Sequence, residues 1–195
     1  MSGAGLILAS ASPRRLELLA QIGVVPEAVV AVTAPHGPVD ETPLKDENPR
    51  LYAQRMARAK AAVLGSGSYI LAADTVVAVG SRILVGTDDQ DKARKALTLL
   101  SGRRHRVITC VVLVAPDGRQ SERVVESDVT FVRLEPSRIE NYLAGGEWRG
   151  KAGSYAIQGF AAAFVRYIGG SYSGVVGLPL FETAQLLRGM GYLLP

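Results

Sequence analysis

Two long apolar runs, residues 70–79 and 107–115, do most to limit how this chain folds. Both are rich in β-branched residues and are bounded by turn-forming residues, which is typical of buried strands. Neither reaches the ~20 apolar residues that a membrane-spanning helix needs. A turn at residues 116–118 separates the second run from another strand pattern, 123–133, so the sequence predicts a large, twisted sheet and no membrane partner.

Helical patterns alternate with these strands. Residues 6–9 predict a buried strand, after which Ser12 caps a helix that Gly23 ends. A helix from Pro49 to about residue 64 presents Leu51, Tyr52 and Met56 on a packed stripe, with Lys60 beside it. No linker or repeat interrupts residues 1–195, so we expect one mixed α/β domain. Further elements are predicted as a short strand at 28–32, a Pro-, His- and Gly-rich loop at 34–38, a hairpin at 76–79 and 83–85, and helices after Asp88, Pro136 and Pro179.

The chain has a single cysteine, Cys110, which lies in an apolar run and cannot form an intrachain disulfide. The apolar residues near the N-terminus lack the basic segment that precedes the core of a signal peptide. Both features predict a cytoplasmic protein.

Basic residues outnumber acidic ones, with a net charge of +4, and 17 of the 22 basic residues are arginine. Arginine suits bidentate phosphate recognition, which favours an anionic partner. The alternative is an ordinary surface charge that keeps the protein in solution. The positions of the arginines along the sequence are needed to distinguish an anionic partner from this alternative.

Residues 10–15 read Ser-Ala-Ser-Pro-Arg-Arg and lead from the first strand into the first helix. A helix N-terminus offers unpaired N–H groups to anions, and two arginines add charge-assisted donors. We predict a polyphosphate pocket here; the alternative is a capped helix with two solvent-facing arginines. The residues predicted to bind substrate are Ser10, Ser12, Arg14 and Arg15.

Asp74 follows the apolar residues 69–73, which predict a buried strand that ends there. Open α/β sheets place ligand chemistry at strand ends, and Mg²⁺ prefers one or two carboxylates plus substrate phosphates. Asp74 is therefore the candidate catalytic residue and metal ligand, unless it is only a hairpin turn residue. Asp40 or Glu41 supplies a second metal ligand, unless both are solvated loop acids.

A third segment, 147–159, combines three glycines with Lys151 and Gln158. Glycine allows close backbone approach to a ligand, lysine supplies a point charge, and glutamine can read a base edge. The segment favours nucleotide recognition, although a flexible surface loop has a similar composition. Residues 103–106, Arg-Arg-His-Arg, lack interleaved aromatics and predict a solvated turn rather than a nucleic-acid patch.

Taken in order, these segments resemble the motifs of the Maf family. The residues that carry the resemblance span nearly the whole chain and are 10–15, 40–41, 73–77, 100–103 with His105, 151–159 and 177–180. The resemblance implies nucleoside triphosphate pyrophosphatases linked to septum formation and related in fold to inosine triphosphate pyrophosphatases. It also implies an elongated mixed sheet flanked by helices, a cleft between two lobes, a frequent though not universal homodimer, and a need for Mg²⁺ or Mn²⁺.

The family's proton acceptor corresponds to Asp74, and its specificity positions to Arg14, Thr75 and Gln158. These residue types resemble the branch that acts on dTTP and UTP. The resemblance also implies that Glu41, Lys60 and Lys151 contact metal or phosphate.

One position departs from the family pattern. Gly86 stands where the family usually has a lysine that reaches the active site. Losing one charge-assisted contact typically costs ~1.5–3 kcal/mol, unless another cation replaces it.

The sequence therefore predicts a metal-dependent hydrolase that converts dTTP or UTP to the nucleoside monophosphate and pyrophosphate. Two alternatives stay open. One is a 7-methyl-GTP or broad-specificity pyrophosphatase, and the other is a nucleotide-binding regulator of division without turnover.

Overall fold

A computed structural model describes residues 4–33, 39–65 and 67–194. The predicted loop at 34–38 lies outside the described residues. The strands are β1 (Leu6–Leu8), β2 (Ala28–Val29), β3 (Tyr69–Val79), β4 (Arg82–Leu84), β5 (Arg104–Val114), β6 (Gln120–Phe131) and β7 (Val165–Gly169). The helices are α1 (Pro13–Gln21), α2 (Pro49–Ala62), α3 (Gln90–Leu100), α4 (Pro136–Ala144), α5 (Tyr172–Val176) and α6 (Leu180–Gly189).

The seven strands form one mixed sheet in the order β2-β1-β3-β5-β6-β7, with β4 added to β3. β1 is parallel to β2 and β3, whereas the long strands β3, β5 and β6 are antiparallel to one another. This sheet, flanked by helices, confirms the predicted architecture. No helix among the described residues is long and apolar enough to cross a bilayer.

Local sequence explains most helix starts. Asn48 accepts a hydrogen bond from the backbone N–H of Arg50 and so caps α2, and Asp89 caps α3 in the same way. Ser12 occupies the N-cap position of α1 without a side-chain cap hydrogen bond. The short helix α5 was not predicted, and β2 is shorter than expected.

Among the described residues, four apolar clusters hold helices against the sheet, two on each face. On one face, α1 and α6 cover the first half of β3, and α3 and α4 cover its second half. On the other face, the small residues of α2 pack closely on β3 and β5. The two clusters on the first face define two lobes, which share the long strands β3 and β5.

β3 changes partners along one edge. It pairs with β1 through residues 69–71 and with β4 through residues 77–79, while β5 occupies its opposite edge. Residues 72–76 therefore have no strand beside them on the β1–β4 edge. The cleft between the lobes opens at this gap.

Three sequence predictions were wrong in detail. Asp74 lies in the middle of β3, in register with Cys110, rather than at a strand end or in a turn. Arg104, His105 and Arg106 belong to β5 rather than to a solvated turn, and His105 is buried. In α2, Tyr52 and Met56 are buried as expected, whereas Leu51 is exposed and Lys60 is itself buried.

Candidate active site

A cleft of about 780 Å³ lies between the lobes, at the gap along the edge of β3. All ten site residues predicted from the sequence line it, although they come from five separate segments. They are Ser10, Ser12, Arg14, Arg15, Glu41, Lys60, Asp74, Thr75, Lys151 and Gln158. The structure thus brings the predicted residues together, while their chemical roles stay predictions.

Two carboxylates converge on the ammonium group of Lys60. Its Nζ lies 2.6 Å from Oδ1 of Asp74 and 2.6 Å from Oε1 of Glu41. The small residues of α2 bring this helix close to β3, so Lys60 reaches Asp74 within the protein. Asp74 and Lys60 are each less than a tenth exposed, whereas the side chain of Glu41 is half exposed. A buried charge is costly unless it is paired, and here each buried partner neutralises the other.

Burial raises the pKa of Asp74 above its usual value, while the charges of Lys60 and Arg15 oppose that rise. Desolvation disfavours the carboxylate, and nearby cations favour it. The result is a stronger base than an exposed aspartate, held beside two cations that stabilise its charged form.

Arg15 is held on the opposite face of β3. Its Nε donates to the carbonyl oxygen of Gly177 at 2.8 Å, and its Nη1 donates to Oγ of Ser10 at 2.9 Å. Its Nη2 donates to Oγ1 of Thr75 at 3.3 Å. Three of the five guanidinium N–H groups are thus engaged in the protein, which orients the remaining two.

Arg14 and Lys151 lie nearer the opening of the cleft. Burial lowers the pKa of Arg14 and also that of Lys151, whose pKa is further lowered by the charge of Arg14. Neither side chain forms an ion pair with any of the described residues. They are therefore positive groups available to an anionic ligand.

The loop that carries Gln158 is fixed by contacts on both sides. Tyr142 accepts a hydrogen bond from the backbone N–H of Ala156 at 3.1 Å, and the carboxylate of Glu147 accepts one from Phe160. The side chain of Gln158 itself is exposed in the cleft. Its amide can therefore both donate to and accept from a ligand.

Gly86 also lines the cleft. A Cβ atom at this position would lie 2.7 Å from the carbonyl oxygen of Gly150, which is closer than real contacts allow. The next residue, Thr87, accepts a hydrogen bond from the backbone N–H of Gly150 at 3.1 Å. The glycine therefore lets this segment pack directly on the segment that leads to Lys151.

Sequence reasoning missed three residues that organise the site. The hydroxyl of Tyr52 donates to the backbone carbonyl of Glu41 at 2.6 Å, Thr109 contacts Thr75, and the Gly177 carbonyl anchors Arg15. The sequence pattern predicted only a packing role for Tyr52. A polar residue within an apolar run was the sole signal for Thr109.

Comparisons with known proteins find relatives that span most of this chain. The family model described as Maf-like protein matches residues 5–190. The dTTP/UTP pyrophosphatase of Granulibacter bethesdensis is 58% identical, over 96% of this chain and 93% of that protein. The dTTP/UTP pyrophosphatase of Rhodospirillum rubrum is 57% identical, over 98% of this chain and 90% of that protein.

Among solved structures, the Ham1 protein of Staphylococcus aureus matches with a TM-score of 0.44 and 17% identity. That match covers 65% of this chain and 71% of the other. It is too distant to bear on the site. The match to the family model and the identity to full-length relatives show that this chain belongs to the Maf family.

Proposed function

We propose that this protein hydrolyses dTTP and UTP to the nucleoside monophosphate and pyrophosphate, with a divalent cation. The observation that carries the proposal is the presence, in one cleft, of the carboxylates of Asp74 and Glu41 together with three cations, Arg14, Arg15 and Lys151. Such a cleft suits a substrate that is polyanionic at one end. The names of the relatives, which are dTTP/UTP pyrophosphatases, support dTTP and UTP as the nucleotide substrates.

Asp74 and Glu41 would hold the divalent cation. Asp74 and Glu41 both approach a single point, which the ammonium group of Lys60 marks. Two carboxylates together with substrate phosphates are the oxygen set that Mg²⁺ uses in many phosphoryl-transfer sites. When bound, a divalent cation polarises phosphate oxygens and lowers the pKa of water.

The proposed reaction is attack of a water on the α-phosphorus. Asp74 accepts the proton of that water at a carboxylate oxygen, as the oxygen–phosphorus bond forms. The bond from the α-phosphorus to the bridging oxygen breaks, and the pyrophosphate carries away the electron pair. Arg14, Arg15 and Lys151 stabilise the charge that develops on it, which is usually the largest contribution in phosphoryl chemistry.

The test is a substrate panel. The protein is incubated with dTTP, UTP, CTP and 7-methyl-GTP, with Mg²⁺ or Mn²⁺ and with chelator, and pyrophosphate release is measured. We expect release from dTTP and UTP that chelator abolishes. Binding without release would instead support the nucleotide-binding regulator, and a preference for 7-methyl-GTP would move the chain to another specificity.

A further inference from the structure

A second cavity lies behind one wall of the cleft. It encloses about 310 Å³ and is lined by residues 82–87, by one face of α3 and by Ser154. Residues 84–87 line both this cavity and the cleft, so they form a wall between the two. None of the ten predicted site residues lines the second cavity. Its volume is at the lower end of the range for small-molecule sites, which makes it a candidate binding site in its own right.

The second cavity combines apolar walls with a positively charged mouth. The apolar residues that line it are Ile83, Leu84, Val85, Ala96 and Leu99. Every charged residue described as lining it is basic, and these are the exposed side chains Arg82, Lys92 and Lys95. Among the described residues, Arg82 and Lys95 have no ion-pair partner, and Lys92 only approaches Asp89, at 3.8 Å. Such a cavity suits an apolar ligand that carries a negative charge.

A buried hydroxyl lies at the floor of the cavity. Ser154 is fully buried, whereas the three cations are exposed, so its side chain is at the end away from solvent. Its Oγ has no hydrogen-bond partner among the described residues. Its backbone φ is +57°, in the left-handed region that favours glycine. A serine here therefore brings both backbone strain and an unpaired polar atom, and no contact among the described residues offsets either cost.

The order of these groups defines the chemistry of a matching ligand. An anionic group, such as a carboxylate, pairs with the cations at the mouth. A small apolar body fills the middle, where burial of apolar surface provides the main attraction. A hydrogen-bonding group at the far end pairs with Oγ of Ser154, which removes the cost of the unpaired hydroxyl. A hydroxyaryl carboxylate has these three parts in this order.

The cavity shares structural parts with the cleft on two sides. In the dividing wall, Gly86 packs against the carbonyl of Gly150, and Thr87 accepts a hydrogen bond from the N–H of Gly150. At the floor, the N–H of Ser154 donates to the carbonyl oxygen of Lys151 at 2.9 Å, and Lys151 lines the cleft. A ligand that fills the cavity therefore supports the wall and the segment of Lys151 from behind.

We propose that the second cavity is a regulatory site for a small amphipathic anion with a hydrogen-bonding group on its apolar end. Occupancy holds residues 84–87 and Lys151 in place beside the cleft, so less conformational freedom is lost when UTP binds. The binding site stands on the cavity alone, whereas its effect on UTP rests on the proposed function.

The first experiment measures binding by isothermal titration calorimetry in the absence of UTP, at low ionic strength so that the exposed cations are not screened. Three probes share a benzene ring. Para-hydroxyphenylpropionate has the negative charge and the hydroxyl, phenylpropionate lacks the hydroxyl, and tyramine has the hydroxyl with the opposite charge. We expect para-hydroxyphenylpropionate to bind about threefold to tenfold more tightly than phenylpropionate, and tyramine to bind most weakly.

A pair of matched variants tests whether the probe occupies this cavity. Ala96→Phe places a ring in the cavity and should abolish binding of para-hydroxyphenylpropionate. Ala20→Phe makes the same change at an exposed position of α1 that lines neither the cavity nor the cleft, and it should leave the affinity unchanged.

Further variants test the charge and the hydroxyl. Lys95→Gln should weaken binding of para-hydroxyphenylpropionate about threefold, whereas Lys45→Gln, at an exposed lysine that lines neither the cavity nor the cleft, should not. Ser154→Ala should abolish the preference for the hydroxylated probe. Arg14→Gln removes a cation of the cleft and should leave the affinity for the probe unchanged.

The second experiment measures the effect of the cavity on the cleft. With chelator present to prevent turnover, saturating para-hydroxyphenylpropionate should lower the Kd for UTP about fivefold. UTP should tighten binding of the probe by the same factor, because coupling between two sites is reciprocal. Ala96→Phe should lose the effect of the probe on UTP, whereas Ala20→Phe should retain it.

The proposal is overturned if no probe binds, if the three probes bind equally, or if Ala96→Phe and Ala20→Phe bind para-hydroxyphenylpropionate equally well. Loss of binding in Arg14→Gln would place the probe in the cleft and would also overturn it. Should Ser154→Ala not fold, Ser154→Gly suits the positive φ and must show the same loss of preference.

The regulatory role has its own criterion, since a Kd for UTP that does not fall when the probe is bound overturns it. If the unaltered protein binds UTP but releases no pyrophosphate, the proposed function fails and the two Kd values still test the coupling. If it does not bind UTP, the regulatory role fails together with the proposed function, while the probe comparisons still decide whether the cavity is a binding site.

Discussion

The protein buries polar groups in two regions. The groups in the first region are charged, and those in the second are uncharged. At the cleft, Asp74 and Lys60 are buried as an ion pair, and Arg15 is buried on the opposite face of β3. In the second lobe, His105 and Tyr155 are equally buried, but they form a hydrogen bond of 2.9 Å between uncharged side chains. Burial lowers the pKa of His105 to about 4, so it is neutral at pH 7.

The difference separates groups that serve a ligand from groups that serve the fold. Buried ions are costly and add little net stability, so their retention suggests a use for their charge. A neutral hydrogen-bonded pair is buried at lower cost than an ion pair, and this one holds β5 to the loop ahead of Gln158, while Nδ1 of His105 has no hydrogen-bond partner among the described residues. Breaking the first pair should therefore affect both activity and stability, whereas breaking the second should affect stability alone.

The largest expected effect comes from Asp74→Asn. If Asp74 is the base, kcat for UTP should fall about 10²- to 10⁴-fold, because the amide cannot accept the proton. Circular dichroism serves as the control for folding. Near-normal turnover in a folded variant would rule out this role.

The second prediction concerns Lys60. Lys60→Met leaves a buried carboxylate without its partner and should cost ~3–5 kcal/mol of unfolding free energy, whereas Lys60→Arg should cost less. Urea denaturation measures both. Adding Asp74→Asn to Lys60→Met should recover part of the loss, and strictly additive costs would show that the pair is not coupled.

The third prediction is a pH dependence that belongs to the second lobe. The unfolded chain protonates His105 near pH 6.5, but the folded protein does so only near pH 4, so stability falls as the pH drops through this window. The shift corresponds to ~3 kcal/mol lost by pH 4. Denaturation at pH 7, 5.5 and 4 should show that the free energy of unfolding decreases less with falling pH in His105→Phe than in the unaltered protein. An equal decrease in both proteins would exclude His105 as the source.

The smallest effect concerns Gly86, where the second lobe meets the edge of the cleft. Gly86→Ala places a Cβ against the Gly150 carbonyl and should cost about 1–3 kcal/mol through overpacking. Gly65→Ala is the matched control, since nothing lies within 4 Å of its added Cβ. Equal thermal stability of the two variants would contradict the close packing.

The sequence predicted which residues meet at the cleft better than it predicted how they meet. Residues 10–15 and Asp74 were identifiable because serine, arginine and aspartate interrupt otherwise apolar, regular patterns. The position of Asp74 in mid-strand was not predictable, because a carboxylate inside a strand is tolerated only through Lys60, which is distant in sequence. Thr109 and Tyr52 were missed for a similar reason, since both act through contacts that exist only after the strands and helices have packed.

The shared strands also govern how the molecule admits its ligand. β3 and β5 pass without a break from one lobe to the other, so swinging the lobes apart would tear the hydrogen-bonded ladder between them. A large opening motion between the lobes is therefore costly, so a ligand must be accommodated by movements of side chains and loops. The cleft is therefore largely preformed, and the sheet sets its width.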